Sequence, residues 1–167
     1  MIAFAFTLLL STCPMHAQHM KAAQADGSAE HGQDVDHRHD TFGMPHTAST
    51  HAFRLFEDGG AIELRANASD DAATIDVIRK HLRSIVEEFD AADFKTPAFV
   101  HGYPPAGVET MARLRDDIRY EYQPLPAGGR IRMTTKSAEA LAAIHDFLRF
   151  QVTEHRTKDG GKVERDE

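Results

Sequence analysis

An internal repeat constrains the fold of this chain more than any other feature of it. The first unit runs through residues 51–56, a turn at 57–60 ending Gly59-Gly60, residues 61–66, and a helical stretch at 69–89. The second runs through residues 118–122, a turn ending Gly128-Gly129, residues 130–135, and a helix at 137–155. Apolar and polar side chains alternate along the strands, as in Phe53-Arg54-Leu55. That period of two belongs to half-buried antiparallel strands, and paired glycines supply the positive φ of a tight hairpin. Ser69, Asp70, Asp71 and Ser137 are N-cap candidates, because a short side-chain oxygen accepts bonds from the orphan N–H groups of a first helical turn. The pattern predicts an α+β domain in which two ββα repeats form a four-stranded antiparallel sheet with two main helices on one face. Between the units, Pro97, Gly102, Pro104, Pro105 and Gly107 predict a fixed loop over residues 93–107, followed by a short helix through Met111 and Leu114.

At 167 residues the chain holds one folded domain with flanking segments, which excludes a large multidomain enzyme. Residues 50–157 are the predicted domain, and the charged, glycine-bearing residues 158–167 are expected to fray. Residues 2–10 are apolar apart from Thr7. Such a run is too short to span a bilayer, which takes roughly 20 residues, and matches the apolar region of a secretory signal. Residues 1–17 are therefore expected to be a signal peptide cleaved after Ala17, although no Lys or Arg precedes the apolar run. Lipidation of Cys13 is the alternative, through Leu10-Ser11-Thr12-Cys13 with Thr12 off the lipobox pattern. Either route gives a periplasmic or secreted chain with no transmembrane span once processed. Cleavage after Ala17 removes the one cysteine, and with it disulfides, thiolate metal sites and cysteine nucleophiles. A net charge of −7 is unsuited to a phosphate backbone and excludes nucleic acid as a partner.

Composition departs most from the ordinary in its 11 histidines, against one cysteine and no tryptophan. Residues 18–49 have no apolar periodicity and are expected to be disordered. Their tightest cluster is His37 and His39, flanked by Asp36 and Asp40, while Met20 and Met44 add thioethers suited to Cu(I). Within the domain, helix geometry sorts the remaining histidines. Ile75, Ile78, Leu82, Ile85 and Phe89 form an apolar arc, and His81 falls about 40° outside it. Leu141, Ile144, Leu148 and Val152 form a second arc, with His155 inside it and His145 on its border. Those two lie about 15 Å apart along the helix axis, too far to share an ion at Zn–N distances of about 2.0–2.1 Å. The preferred folded metal site is His51, His101 and His145, from a strand start, a loop and a helix border, with His81 and His155 as further candidates. For each histidine alone, a local hydrogen bond is the plainer role.

No HExxH pair, G-x-S-x-G elbow or Walker loop is present, and the Gly-Gly pairs sit between strands, the wrong context for a phosphate cradle. Asp58, Asp70, Asp71, Asp116 and Asp117 read as turn, cap and surface residues, and the arginines as a solvated face. His101 or His145 as a general base would need a substrate that nothing in the sequence names.

Thr50-His51, Gly59-Gly60, Ile78-Arg79-Lys80-His81-Leu82, Asp93-Phe94, His101-Gly102, Ile118-Arg119-Tyr120, Gly128-Gly129 and His145-Asp146-Phe147-Leu148-Arg149-Phe150-Gln151 with Glu154-His155 form a pattern over residues 50–157. It resembles a group of small exported bacterial proteins whose activity is not established. Some of them go by the name aspartate carbamoyltransferase, which does not fit: that enzyme is about twice as long and carries a Ser-Thr-Arg-Thr carbamoyl-phosphate motif absent here. The resemblance implies an exported single domain and no activity. The residues themselves point to an exported metal-binding protein. Copper is favoured, with zinc as the other ion, because imidazoles and thioethers coexist without thiolates and Cu(II) heads the divalent affinity order. In this reading the His/Met segment captures ions, and the domain holds one site or docks to another envelope protein. The alternative is a metal-independent module whose residues 97–107 recognise a protein or small ligand. Imidazole must be deprotonated to bind metal, so a collapse of binding below about pH 6 separates the two.

Overall fold

The computed structural model describes Arg38 and residues 47–166; the expected signal segment, Cys13, His37 and His39 lie outside the described residues. The elements are β1 (Ser49–Phe56), β2 (Gly59–Ala66), α1 (Ala72–Asp90), α2 (Lys95–His101), α3 (Val108–Arg113), a 3-10 turn (Arg115–Asp117), β3 (Ile118–Leu125), β4 (Gly128–Thr135), α4 (Ala138–Glu154) and β5 (Val163–Glu164).

The fold is α+β. Two hairpins, β1–β2 and β3–β4, meet through β2 and β4, whose antiparallel register sets Ile62 opposite Ile131. The sheet differs from the four antiparallel strands expected, because it has five strands in the order β3-β4-β2-β1-β5 and is mixed. The fifth strand comes from the segment expected to fray, and it pairs in parallel with Leu55 and Phe56 at the β1 edge. A two-residue strand in a charged stretch carries no periodicity to read. What orders it is the unpaired edge of β1, a non-local partner.

Helix α1 lies against β4, β3 and β2, and α4 against β1, β2 and β4. The buried stripe of α1 is Ile75, Ile78, Leu82, Ile85 and Phe89. It joins Phe53, Leu55, Ile131, Ile144, Phe147 and Leu148 in one core cluster. Each fully buried side chain of this kind contributes about 1.5–3 kcal/mol relative to exposure. The caps are local: Asp71 accepts from the Thr74 N–H at 3.0 Å and Ser137 from the Ala140 N–H at 3.3 Å.

Both long helices close with a Schellman turn made without glycine. After α1, the Asp93 N–H bonds the Glu88 carbonyl and the Ala92 N–H bonds that of Phe89, with Ala92 at φ 56°. After α4, Thr157 and Arg156 make the same pair of bonds to Val152 and Thr153, with Arg156 at φ 49°.

Residues 95–101 are helical, where the sequence predicts loop. Pro97 sits in the first turn, whose N–H groups have no intrahelical partner, so it stops nothing. Gly102 then ends α2 in the left-handed region at φ 78°, a conformation that costs glycine least.

Candidate functional site

Four of the histidines singled out in the sequence converge. His51 from the middle of β1, His81 from α1, His101 from the last turn of α2 and His155 just after α4 line one cavity of about 60 Å³. Hydrocarbon from Phe53, Ile62, Leu82, Ile85, Phe89 and Val100 makes most of the remaining wall. The His51 and His155 rings stack at 5.1 Å with planes 15° apart, and the His101 ring meets His155 edge-on at 5.1 Å and 83°. Phe53 packs against His155 at 5.3 Å, and Phe150 against His101 at 4.9 Å, which holds the rings from behind.

Burial sets the charge of this cluster. It lowers the pKa of His51 to about 4, with the neighbouring His81 adding repulsion, and it lowers that of His81 to about 4 as well. Both rings are therefore neutral at physiological pH. His101 is wholly buried, and its Nε2 lies 3.0 Å from Gln151 Oε1. An amide oxygen only accepts, so Nε2–H donates. The Nδ1 of the same ring lies 3.9 Å from Glu154 Oε2. Burial and the charge and hydrogen bond of Glu154 raise the Tyr103 hydroxyl above its ordinary value. Gln151, His101, Glu154 and Tyr103 thus form a polar chain from the cavity to the surface.

His145, the third member of the preferred grouping, does not line this cavity. Its Nε2 lies 2.9 Å from the Phe56 carbonyl and 3.0 Å from that of Gly59. Two carbonyls need a donor, so Nε2 carries the hydrogen, and the ring clamps the β1–β2 turn onto α4. The buried stripe of α4 is Ala140, Ala143, Ile144, Phe147, Leu148 and Gln151, where the expected arc had Leu141 and Val152, both of which are part-exposed. His155 follows Gln151 by one turn into the cavity, and the border position of His145 meets the hairpin turn. Gln151 and Glu154 join this cluster, although in the sequence they figure only within the resemblance, without a role. The signal for Gln151 was present: it falls seven residues after Ile144, on the same buried stripe.

Chemically the arrangement offers imidazoles, those of His51 and His81 held neutral by burial, in a largely apolar cavity. The carboxyl ends of α2 and α4 come together at His101 and His155, and a helix carries about half a negative charge there. Ring lone pairs lie in the ring plane, so the stacked His51 and His155 do not aim at one point. Among the described residues no three His, Cys, Asp or Glu side chains stand in ligating geometry. No helix of the described residues is long and apolar enough to cross a membrane. Compared with known proteins, the chain matches no family model, no curated protein and no solved structure.

Proposed function

We propose that this domain belongs to an exported metal-binding protein and holds one copper or zinc ion among His51, His81, His101 and His155. The observation that carries the reading is the arrival of four imidazoles from four parts of the chain at one cavity whose remaining wall is mostly hydrocarbon. A buried imidazole must satisfy two ring nitrogens, whereas a leucine in the same place fills space without that cost. Metal ligation is a use that repays it. His51 and His81, held neutral by burial, are already in the protonation state a metal requires. Gln151, which accepts from His101 Nε2–H, supports the ring as second-sphere acceptors do for ligating histidines. Copper is preferred over zinc for the reason found in the sequence, the His and Met residues of 18–49. Ligation by both His51 and His155 requires one ring to turn out of the stack. His155, at the junction of α4 and its closing turn, is the one placed to do so.

Titration of the full chain with Cu(II) and Zn(II), with the bound ratio read by elemental analysis, tests this. One tight equivalent is expected to survive His37→Ala with His39→Ala, to survive His145→Ala, and to be lost in His101→Ala and in His51→Ala. Weak binding of several equivalents that disappears with His37 and His39 would make the domain's imidazoles structural.

One observation favours the metal-independent reading. Phe99 and Tyr103, on and just after α2, are 53% and 43% exposed, large apolar surfaces of the kind that mark a docking patch. If the domain binds no metal, residues 97–107 become the functional surface.

A further inference from the structure

The sheet has a second face, turned away from the helices, and it is charged. The register sets Glu121, Arg132, Ala61 and Arg54 in one row across β3, β4, β2 and β1. Gln123, Arg130, Glu63 and Ala52 form the next row. With Arg65 and Arg119 the strands place five guanidinium groups on this face against two carboxylates, in a chain of net charge −7.

Residues 163–166 lie on it. Val163 and Glu164 extend the sheet beside Leu55 and Phe56, and Glu164 pairs with Arg54. Asp166 Oδ2 accepts from Arg132 Nε at 2.6 Å, and its Oδ1 lies 3.4 Å from Arg130 Nη1. Arg132 is buried, stacks 4.7 Å over the Phe56 ring, and takes its second carboxylate from Asp58. The Gly60 and Met133 carbonyls and Asp58 hold the rest of this guanidinium, and Nε is left for the occupant, so a carboxylate is the group that best matches it.

The strand part of the present occupant is held lightly, its firmer points being Asp166 on Arg132 and Asp159 Oδ2, which accepts from the Phe53 N–H at 2.9 Å. A two-residue strand makes a marginal ladder, and Val163 is 46% exposed. The Arg54–Glu164 pair is nearly half exposed on both sides, where such pairs are worth little. Beside it a groove of about 500 Å³ stays open along Glu63, Arg65 and Arg130.

We propose that the β1 edge with Arg54, Arg130 and Arg132 is a docking site for an extended acidic peptide of a partner protein, which displaces residues 163–166 and adds as a parallel strand. Charge complementarity names the occupant. Acidic residues two apart along a strand fall on one face, as Glu164 and Asp166 do, and so match Arg54 and Arg132 together. The site lies across the sheet from the histidine cavity and does not depend on the metal reading.

The probe is a fluorescein-labelled, amidated peptide of residues 160–166, followed by anisotropy against the full chain and against Glu164→Ala with Asp166→Ala. The substituted chain is expected to bind about tenfold tighter, because the tethered segment no longer competes at high effective concentration. Adding Arg54→Glu should abolish that gain, and a peptide with Lys at the Glu164 position, its Asp166 kept for Arg132, should bind this chain again, which shows that it is folded. Failure of that peptide to bind overturns the proposal. Equal binding to both chains, binding to neither, or equal binding of a peptide with Gln and Asn at the acidic positions overturns the proposal. A dimer of the unaltered chain that Glu164→Ala with Asp166→Ala abolishes gives the groove to a second copy, and overturns it too.

Discussion

The imidazoles of His51 and His155 lie stacked, 5.1 Å between centroids and 15° between planes, one from the first strand and the other from the close of the last long helix. This contact ties the β1 edge of the sheet to the end of α4 and brings His101 in edge-on at 83°. In a core built for packing alone such a contact would be aromatic or aliphatic. Here it is made by two imidazoles.

The burial of His51 and His81 gives the domain an acid limit. Each has a folded pKa of about 4 against an ordinary 6.5, so the unfolded chain takes up protons that the folded chain refuses as pH falls between those values. Their contribution is present above pH 6.5 and lost on the way down to 4. Each should lower stability by about 2 kcal/mol between pH 7 and pH 5, about 4 kcal/mol together, roughly 15–20 °C in Tm. Thermal unfolding at the two pH values checks it, and His51→Leu with His81→Leu should flatten the difference. An equal Tm at both would mean that these rings are not held neutral.

The same burial separates the cavity from the His37/His39 segment by pH. An ordinary imidazole gives up metal to protons below about pH 6. A site using His51 and His81 keeps its metal further down, because those rings resist protonation until about 4. Stepwise acidification of the loaded chain should therefore release metal in two phases, and His37→Ala with His39→Ala should remove the earlier one. A single release near pH 6 in every variant counts against the cavity.

His145→Ala removes a donor shared by the Phe56 and Gly59 carbonyls. The expected cost is about 1–2 kcal/mol in urea unfolding, the range for leaving a partly buried acceptor unmatched. Metal stoichiometry should not change. Loss of metal with stability intact would restore His145 to the metal site.

Ala92 sits at φ 56° in the left-handed turn that closes α1, where a side chain other than glycine is strained. Ala92→Gly is expected to stabilise the domain by about 0.5–1 kcal/mol despite its added freedom when unfolded, since relieving the left-handed strain is worth about 1–2 kcal/mol. Denaturant midpoints measure this, and a lower midpoint would show that the turn carries no strain.

What could be read from the sequence was what is periodic or local. The arc of Ile75, Ile78, Leu82, Ile85 and Phe89 is the buried stripe of α1, and Asp71 and Ser137 are the caps. What could not be read was what depends on a distant partner. Val163 and Glu164 become a strand only because Leu55 and Phe56 offer an edge. The border position of His145 on α4 is visible in the sequence, but the hairpin carbonyls waiting there are not. His155 meets His51 because α4 packs on β1, and no spacing along the chain encodes that. Pro97 misled for a plainer reason: the rule that proline breaks helices does not apply in a first turn.

X-ray absorption at the metal edge of the full chain loaded with one equivalent tests the central claim most directly. The account predicts a first shell of imidazole nitrogens, at about 2.0–2.1 Å for zinc, without sulfur, and its loss in His101→Ala. A shell containing methionine sulfur, or one unchanged by His101→Ala, would place the metal outside the cavity and contradict the account.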